Sequence, residues 1–132
     1  MSMSRKYFLV TDRLGFSTWE EGDEALALTL WGVAEVSALI GGPFTTAEVH
    51  ARLRHEIDTL QSHRVQYWPV FSLQNNELAG RAGLRPRGTG EDVFEFGVHL
   101  LPSYWGQGLA QEAARAVIAF AFEHNHCDHG EQ

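Results

Sequence analysis

The sequence predicts an α+β fold in which a mostly antiparallel sheet is flanked by helices. Short runs rich in aromatic and β-branched residues recur along the chain and are typical of strands. The polar segment 74–77 separates two of these runs and favours a hairpin turn. Longer segments instead repeat apolar residues every three or four positions, as amphipathic helices do. With 132 residues the chain has the length of one domain, which we assign to residues 1–132.

The first half of the chain predicts one strand followed by two helices. Residues 5–11 suit a strand, and alternation at Leu14 and Phe16 extends it through residue 19. The first helix is predicted over residues 24–40, with a stop at Gly41-Gly42-Pro43. Thr45 or Thr46 caps the second helix, predicted over residues 47–63.

The second half predicts three strands, over residues 66–73, 78–84 and 92–101, with a flexible loop at 85–91. Pro69 favours an edge strand or a bulge. Side chains of the last strand alternate between two faces. We expect one face to be core and take the other as the candidate functional face; the core set is Phe94, Phe96, Val98 and Leu100, and the second set is Glu95, Gly97, His99 and Leu101.

The segment 103–113 joins the last strand to the most convincing helix in the chain. Gly106 and Gly108 permit close approach of the backbone to a ligand, and the first amides of the helix suit a phosphate. A Gly-x-Gly pattern alone also fits a purely structural junction. The buried side of the helix is predicted from its apolar spacing as Leu109, Ala113, Ala116, Val117, Phe120 and Ala121.

The composition excludes several classes of function. A net charge of −7 argues against a nucleic-acid partner and permits an amine-bearing substrate. The longest run without charged residues, 96–111, is interrupted by Pro102 and three glycines, so we expect no membrane span. The N-terminus lacks an apolar signal core, and Cys127 is the single cysteine. We therefore expect a cytoplasmic protein.

Few side chains suggest catalysis by themselves. Glu95 fits a general base, acting directly or through a water, and equally fits an exposed strand carboxylate. His99 on the same face has the same two interpretations. The C-terminal tail is rich in metal-ligand types, but its spacing matches no usual zinc pattern, so no metal is expected there; these residues are His124, His126, Cys127, Asp128 and His129.

Several ordered segments together resemble the GNAT N-acetyltransferases, and most closely their RimJ/RimL-like (ribosomal-protein-alanine) branch. The resemblance covers residues 9–123 and rests on Thr11-Asp-Arg-Leu, Ile40-Gly-Gly-Pro-Phe, Leu78-Ala-Gly-Arg-Ala-Gly-Leu, Phe96-Gly-Val-His-Leu-Leu-Pro and Tyr104-Trp-Gly-Gln-Gly-Leu-Ala-Gln-Glu-Ala. It implies an acyltransferase that moves acetyl from acetyl-coenzyme A to an amine, either a protein N-terminus or a small molecule.

The resemblance also implies the site residues. The family's pyrophosphate loop corresponds to Ser103–Gly108, with serine in place of the usual Gln or Arg, and the cradle is formed by backbone amides of Gly106, Gln107, Gly108, Leu109 and Ala110. Main-chain groups at His99, Leu100 and Leu101 hold the acetyl and pantetheine portion. Glu95 takes the amine proton, and acetyl-coenzyme A is the cosubstrate without a metal.

Members of this family continue with further strands and a helix that have no counterpart here, so we expect a GNAT-like sheet lacking those elements. The strand at 92–101 then becomes a sheet edge with apolar surface around it. We expect the chain to form a homodimer or larger oligomer and to bind acetyl-coenzyme A weakly by itself. The alternative is a non-catalytic binding module of the same fold that self-associates.

Overall fold

A computed structural model describes residues 6–31, 44–86 and 94–123. Within these residues, five strands form one antiparallel sheet whose order follows the chain, β1-β2-β3-β4-β5. The strands are β1 Leu9–Val10, β2 Leu14–Phe16, β3 Tyr67–Ser72, β4 Leu78–Pro86 and β5 Phe94–Leu100. Three helices accompany them in the described ranges: α1 Glu24–Trp31, α2 Thr46–His63 and α3 Leu109–Glu123. The predicted α+β class is confirmed.

The single first strand predicted over residues 5–19 is wrong, because the chain forms a tight hairpin there. Leu9 pairs with Phe16 across β1 and β2. The Thr11 amide donates to the Leu14 carbonyl (2.8 Å), and the Leu14 amide donates to the Thr11 hydroxyl (3.0 Å). The threonine side chain therefore completes a turn that contains no glycine or proline.

Pro69 lies in β3, which has neighbours on both sides, so the edge alternative is wrong. The bulge alternative fits better, since the register with β4 shifts between Val70 and Phe71. Proline has no amide hydrogen to donate. Its carbonyl still accepts from the Ser17 amide (3.0 Å).

The second helix has the predicted cap. Thr45 accepts from the Glu48 amide (3.1 Å), and Glu48 accepts from the Thr45 amide (2.8 Å), which completes a capping box. Helix α2 ends at Arg64 in the left-handed conformation. The predicted continuation of α1 to residue 40 and its stop at 41–43 lie outside the described residues.

The helices cover opposite faces of the sheet. Helix α3 packs on one face through its predicted apolar side, against a cluster that includes Phe16, Trp68 and Val70. Helices α1 and α2 pack on the other face, in a cluster that includes Trp19, Trp31 and Phe71. These two cores fix the strands whose ends form the site.

Strand β5 is an edge of this sheet, as expected. Leu100 is buried and Phe94 and Val98 are partly buried, but Phe96, predicted as core, is 41% exposed. The reason is its place on an edge strand, which has no neighbour on its outer side among the described residues. Arg85 and Pro86, predicted as loop, belong to β4, and residues 87–93 lie outside the described ranges.

Candidate active site

A glycine-containing loop leads from β5 into α3. After a short turn of 3-10 helix at Pro102–Tyr104, Gly106 and Gly108 adopt φ values of +74° and +77°. This left-handed conformation strains residues with a Cβ, which explains both glycines. Among the described residues, the amides from Gly106 to Ala110 donate to no backbone carbonyl. They lie at the N-terminal end of α3, where partial positive charge accumulates.

An open cavity of about 570 Å³ lies between the end of β5 and the start of α3. Its lining contains most of the predicted cofactor residues; it consists of Val98, His99, Leu100, Tyr104, Trp105, Gly106, Gly108, Leu109, Ala110 and Gln111. Two predicted residues do not line it. Leu101 packs with the α1 and α2 core, and the Gln107 side chain donates to the Ser103 carbonyl (3.0 Å).

The outer edge of β5 faces this cavity. The Leu101 amide donates to the Ala79 carbonyl of β4 (2.7 Å). Because main-chain groups alternate in direction along an antiparallel pair, those of His99 face β4, and those of Val98 and Leu100 face outward. The Leu100 carbonyl accepts from the indole of Trp105 (2.7 Å), a residue that is 49% exposed.

A clamp that we define as Thr11, Arg13 and Glu112 ties the β1–β2 turn to the loop. The Glu112 carboxylate accepts from the Thr11 hydroxyl, from the Arg13 amide (2.8 Å) and from the Arg13 guanidinium (2.7 Å). Arg13 also donates to the Gln107 carbonyl (2.9 Å). These contacts fix the position of the Gly106–Gly108 backbone relative to the sheet.

The clamp also determines the charge state of Glu112. Burial favours the neutral carboxyl, but the hydrogen bonds from Thr11 and Arg13 and the charge of Arg13 outweigh it, so the pKa of Glu112 lies below its ordinary value of 4.5. Glu112 is therefore a carboxylate at neutral pH. Sequence reasoning missed this residue because its partners lie about a hundred positions away.

On the face of the sheet that α1 and α2 cover, two arginines flank the ring of Tyr67. The Arg81 guanidinium lies 4.5 Å from the ring centroid and that of Arg85 lies 4.3 Å from it. We call these three residues the cationic stack. Arg85 also pairs with the buried Glu56 (2.9 Å), whose other carboxylate oxygen accepts from the Tyr67 amide (2.9 Å).

The two candidate functional side chains of β5, Glu95 and His99, lie beside this stack. His99 is the register partner of Arg81, and Glu95 is that of Arg85. The Tyr67 hydroxyl reaches the main chain of Glu95 (3.4 Å). Glu95 itself is exposed, and its carboxylate forms no ion pair with the described residues.

A comparison with known protein families identifies the family of the chain that carries this loop and cavity. The model of the acetyltransferase (GNAT) domain matches residues 13–130. The chain belongs to the GNAT acetyltransferase family. It is thus an acyltransferase of this family, as the sequence resemblance implied.

Relatives of this GNAT chain are distant in sequence. The uncharacterized protein YkkB of Bacillus subtilis is 28% identical over 125 residues, which are 91% of this chain and 71% of YkkB. An acetyltransferase structure from Agrobacterium tumefaciens superimposes with a TM-score of 0.72 at 21% identity. The superposition covers 93% of this chain and 73% of the Agrobacterium chain. The structure of RimL, a ribosomal L7/L12 alpha-N-protein acetyltransferase in complex with coenzyme A, superimposes with a TM-score of 0.76 at 16% identity. The superposition covers 92% of this chain and 71% of the RimL chain. The last two likenesses support the fold.

Other parts of the GNAT chain add little to the site. No group of three or more potential metal ligands occurs among residues 6–31, 44–86 and 94–123. The histidine-rich tail, 124–129, falls outside these ranges. No described helix is long and apolar enough to cross a membrane.

Proposed function

We propose that this GNAT domain, residues 1–132, transfers acetyl from acetyl-coenzyme A to an amine. The observation that carries the proposal is the row of amides from Gly106 to Ala110 at the start of α3, which opens onto the cavity beside β5. Such a row suits the pyrophosphate of coenzyme A. The outward main-chain groups of Val98 and Leu100 suit the amides of the pantetheine arm, which would pair with them as a further strand does.

The reaction follows from this placement. The amine nitrogen attacks the thioester carbonyl carbon, an N–C bond forms, and the C–S bond breaks as the thiolate leaves. Glu95 accepts the amine proton directly or through a water, since its carboxylate is exposed beside the β5 edge. An outward amide of β5 stabilises the negative charge that develops on the carbonyl oxygen.

Two similarities to other acetyltransferases bear on the acceptor class. RimL, which shares the fold, is described as acting on an α-amino group of ribosomal protein L7/L12. A short segment, 38 residues and 29% of this chain, is 42% identical to an N(2)-transacetylase of Aspergillus fumigatus. We therefore propose an amine acceptor that is either a protein N-terminus or a small molecule, in a RimJ/RimL-like enzyme of the cytoplasm.

We also propose that the chain self-associates as a homodimer through apolar surface around β5, which leaves the outward main-chain groups of Val98 and Leu100 to the coenzyme. Large apolar side chains are exposed on β5, on the loop and on α3: Phe96 (41%), Trp105 (49%), Ile118 (48%) and Phe122 (67%). Exposed large apolar side chains that are grouped on a surface mark an interaction site. Light scattering at micromolar concentration should give at least twice the mass of 14.8 kDa. A monomer would contradict this proposal without touching the proposed chemistry.

The activity is tested by measuring release of the coenzyme A thiol with a panel of amines, together with calorimetric titration of coenzyme A. We expect binding and amine-dependent release. Binding without release for any amine would favour the non-catalytic module of the same fold. Absence of both would refute the proposed function.

A further inference from the structure

The cationic stack contains polar atoms that the described residues do not satisfy. Arg81 is only 6% exposed, and its Nε and Nη1 have no hydrogen-bond partner. The Nε of Arg85 is likewise buried without a partner. Buried guanidinium nitrogens normally donate to an acceptor, because water is not available to them. The stack therefore has donors for a group that remains to be supplied.

The charges around the stack also leave room for an added anionic group. Arg52, Arg81 and Arg85 lie close enough to influence one another's ionisation, and among the described residues Glu56 provides the only carboxylate in an ion pair with them. Burial lowers the pKa of Arg81 to about 10, so it is still a cation at neutral pH. Of these three arginines, only Arg85 forms an ion pair among the described residues, while Glu48 and Glu95 add negative charge near Arg52 and Tyr67.

The position of the stack relates it to the proposed reaction. The Tyr67 ring extends over Gly97 of β5, where an added Cβ would lie 2.9 Å from its Cζ. The ring thus lies over β5 between Glu95 and His99, and its hydroxyl meets the Glu95 carbonyl, which faces β4. The side chain of Arg85 is 31% exposed and forms the accessible rim of the stack, and Arg81 lies below it.

We propose that the cationic stack binds a carboxylate of the acceptor, so that the substrate is an amine that also carries a carboxylate. Two guanidinium groups can hold both oxygens of such a group by charge-assisted hydrogen bonds. Glu95 then lies on the same face to receive the amine proton. The identity of the acceptor as an amine rests on the proposed function, whereas the carboxylate site does not.

The first test needs no turnover. N-acetylalanine and its neutral amide, N-acetylalaninamide, are titrated into the full chain by calorimetry. We expect the carboxylate form to bind about 10–100-fold more tightly, as for charge-assisted hydrogen bonds. The preference should disappear in Arg81→Met and persist in Arg115→Met, which removes an exposed arginine on α3 across the sheet. Equal binding of the two compounds to the unaltered chain would overturn the proposal.

The second test uses the reaction. Thiol release is compared for alanine against alaninamide, and for the Ala-Asp amide dipeptide against Ala-Asn amide. A preference in the first pair identifies a free amino acid, and one in the second pair identifies a protein N-terminus followed by an acidic residue. Turnover without preference in either pair refutes the carboxylate site and leaves the proposed function standing. If N-acetylalanine binds in an Arg81-dependent manner but no amine gives thiol release, the carboxylate site is supported and the proposed function is refuted.

Folding of the variants is controlled by their thermal stability. Replacing a buried, unpaired cation by an apolar side chain of similar length is expected to keep or raise Tm. Arg81→Lys keeps the charge but cannot form the paired hydrogen bonds, and it should lose most of the preference. If Arg81→Met and Arg81→Lys both retain the full preference, the carboxylate is held elsewhere and the proposal fails.

Discussion

The substitution Glu112→Gln in the clamp at the start of α3 should destabilise the folded chain. The Glu112 side chain is 15% exposed, and its carboxylate accepts three hydrogen bonds from Thr11 and Arg13. Glutamine keeps the size and one acceptor oxygen, but it loses the charge and places an NH₂ group against donors. Hydrogen bonds to charged groups contribute about 1.5–3 kcal/mol each and are not additive here, since all of them share one carboxylate.

We expect a loss of about 1–2 kcal/mol of unfolding free energy at pH 7, because glutamine retains part of the network. This corresponds to a fall in Tm of about 3–8 °C for a chain of this size. The affinity for coenzyme A should fall as well, since Arg13 connects Glu112 to the Gln107 carbonyl in the loop. Thermal denaturation and coenzyme A calorimetry measure the two effects.

The stability difference between the wild-type chain and Glu112→Gln should depend on pH in a direction that the Glu112 pKa determines. The pKa of Glu112 is lowered in the folded chain, so the stabilisation from its charge is fully present above the ordinary value of 4.5. It is lost as the pH falls through the lower, folded pKa. The difference in stability between the two proteins should therefore be constant from pH 7 to about 5.5 and narrow below 4.5.

The matched control is Glu24→Gln, which removes an exposed acidic residue from the first turn of α1. It tests whether the effect comes from the helix dipole alone, and we expect a change within about 0.5 kcal/mol. An equal loss in both variants would refute the clamp. So would a stability difference for Glu112→Gln that stays unchanged down to the lowest pH at which both proteins fold.

Three further substitutions separate the remaining features of the site. Gly108→Ala, at φ +77°, should cost about 1–2 kcal/mol of stability and weaken coenzyme A binding in a calorimetric titration; unchanged affinity would contradict the backbone cradle. Glu95→Gln should lower kcat by about 10²–10⁴-fold with little change in Tm, and a wild-type rate would exclude it as the base. Gly97→Ala should displace the Tyr67 ring and cost about 1–3 kcal/mol. Gly22→Ala, where an added Cβ meets nothing within 4 Å, is its control in thermal denaturation.

The elements that the sequence predicted well are those with a local signal. Helix α3 has apolar residues at regular spacing, and α2 has both partners of its capping box within four residues. The glycines at 106 and 108 are likewise visible because a positive φ excludes most other residues. These local signals were sufficient to place a glycine loop at the start of α3, where we propose that the coenzyme binds.

The features that sequence reasoning missed depend on contacts between distant positions. Glu112 meets Thr11 and Arg13 from about a hundred residues away, so neither segment alone reveals the clamp. The cationic stack was missed because the strand was predicted to end at residue 84. Its true extent to Pro86 puts Arg81 and Arg85 on one face of the strand. Only the pairing with β3 then shows that Tyr67 lies between them.

Strand β5 carries both the proposed coenzyme contacts and the proposed acceptor contacts. Its outward main-chain groups belong to even-numbered residues such as Val98 and Leu100, and the side chains on the α1 and α2 face belong to Glu95 and His99. In the proposed reaction, the acyl group lies against the outward main-chain groups and the attacking amine lies near the Glu95 side chain. Because side chains alternate with a period of two, a one-residue insertion within β5 would move Glu95 to the other face. Such an insertion should abolish acetyl transfer while the α3 loop, which lies beyond the strand, still binds coenzyme A.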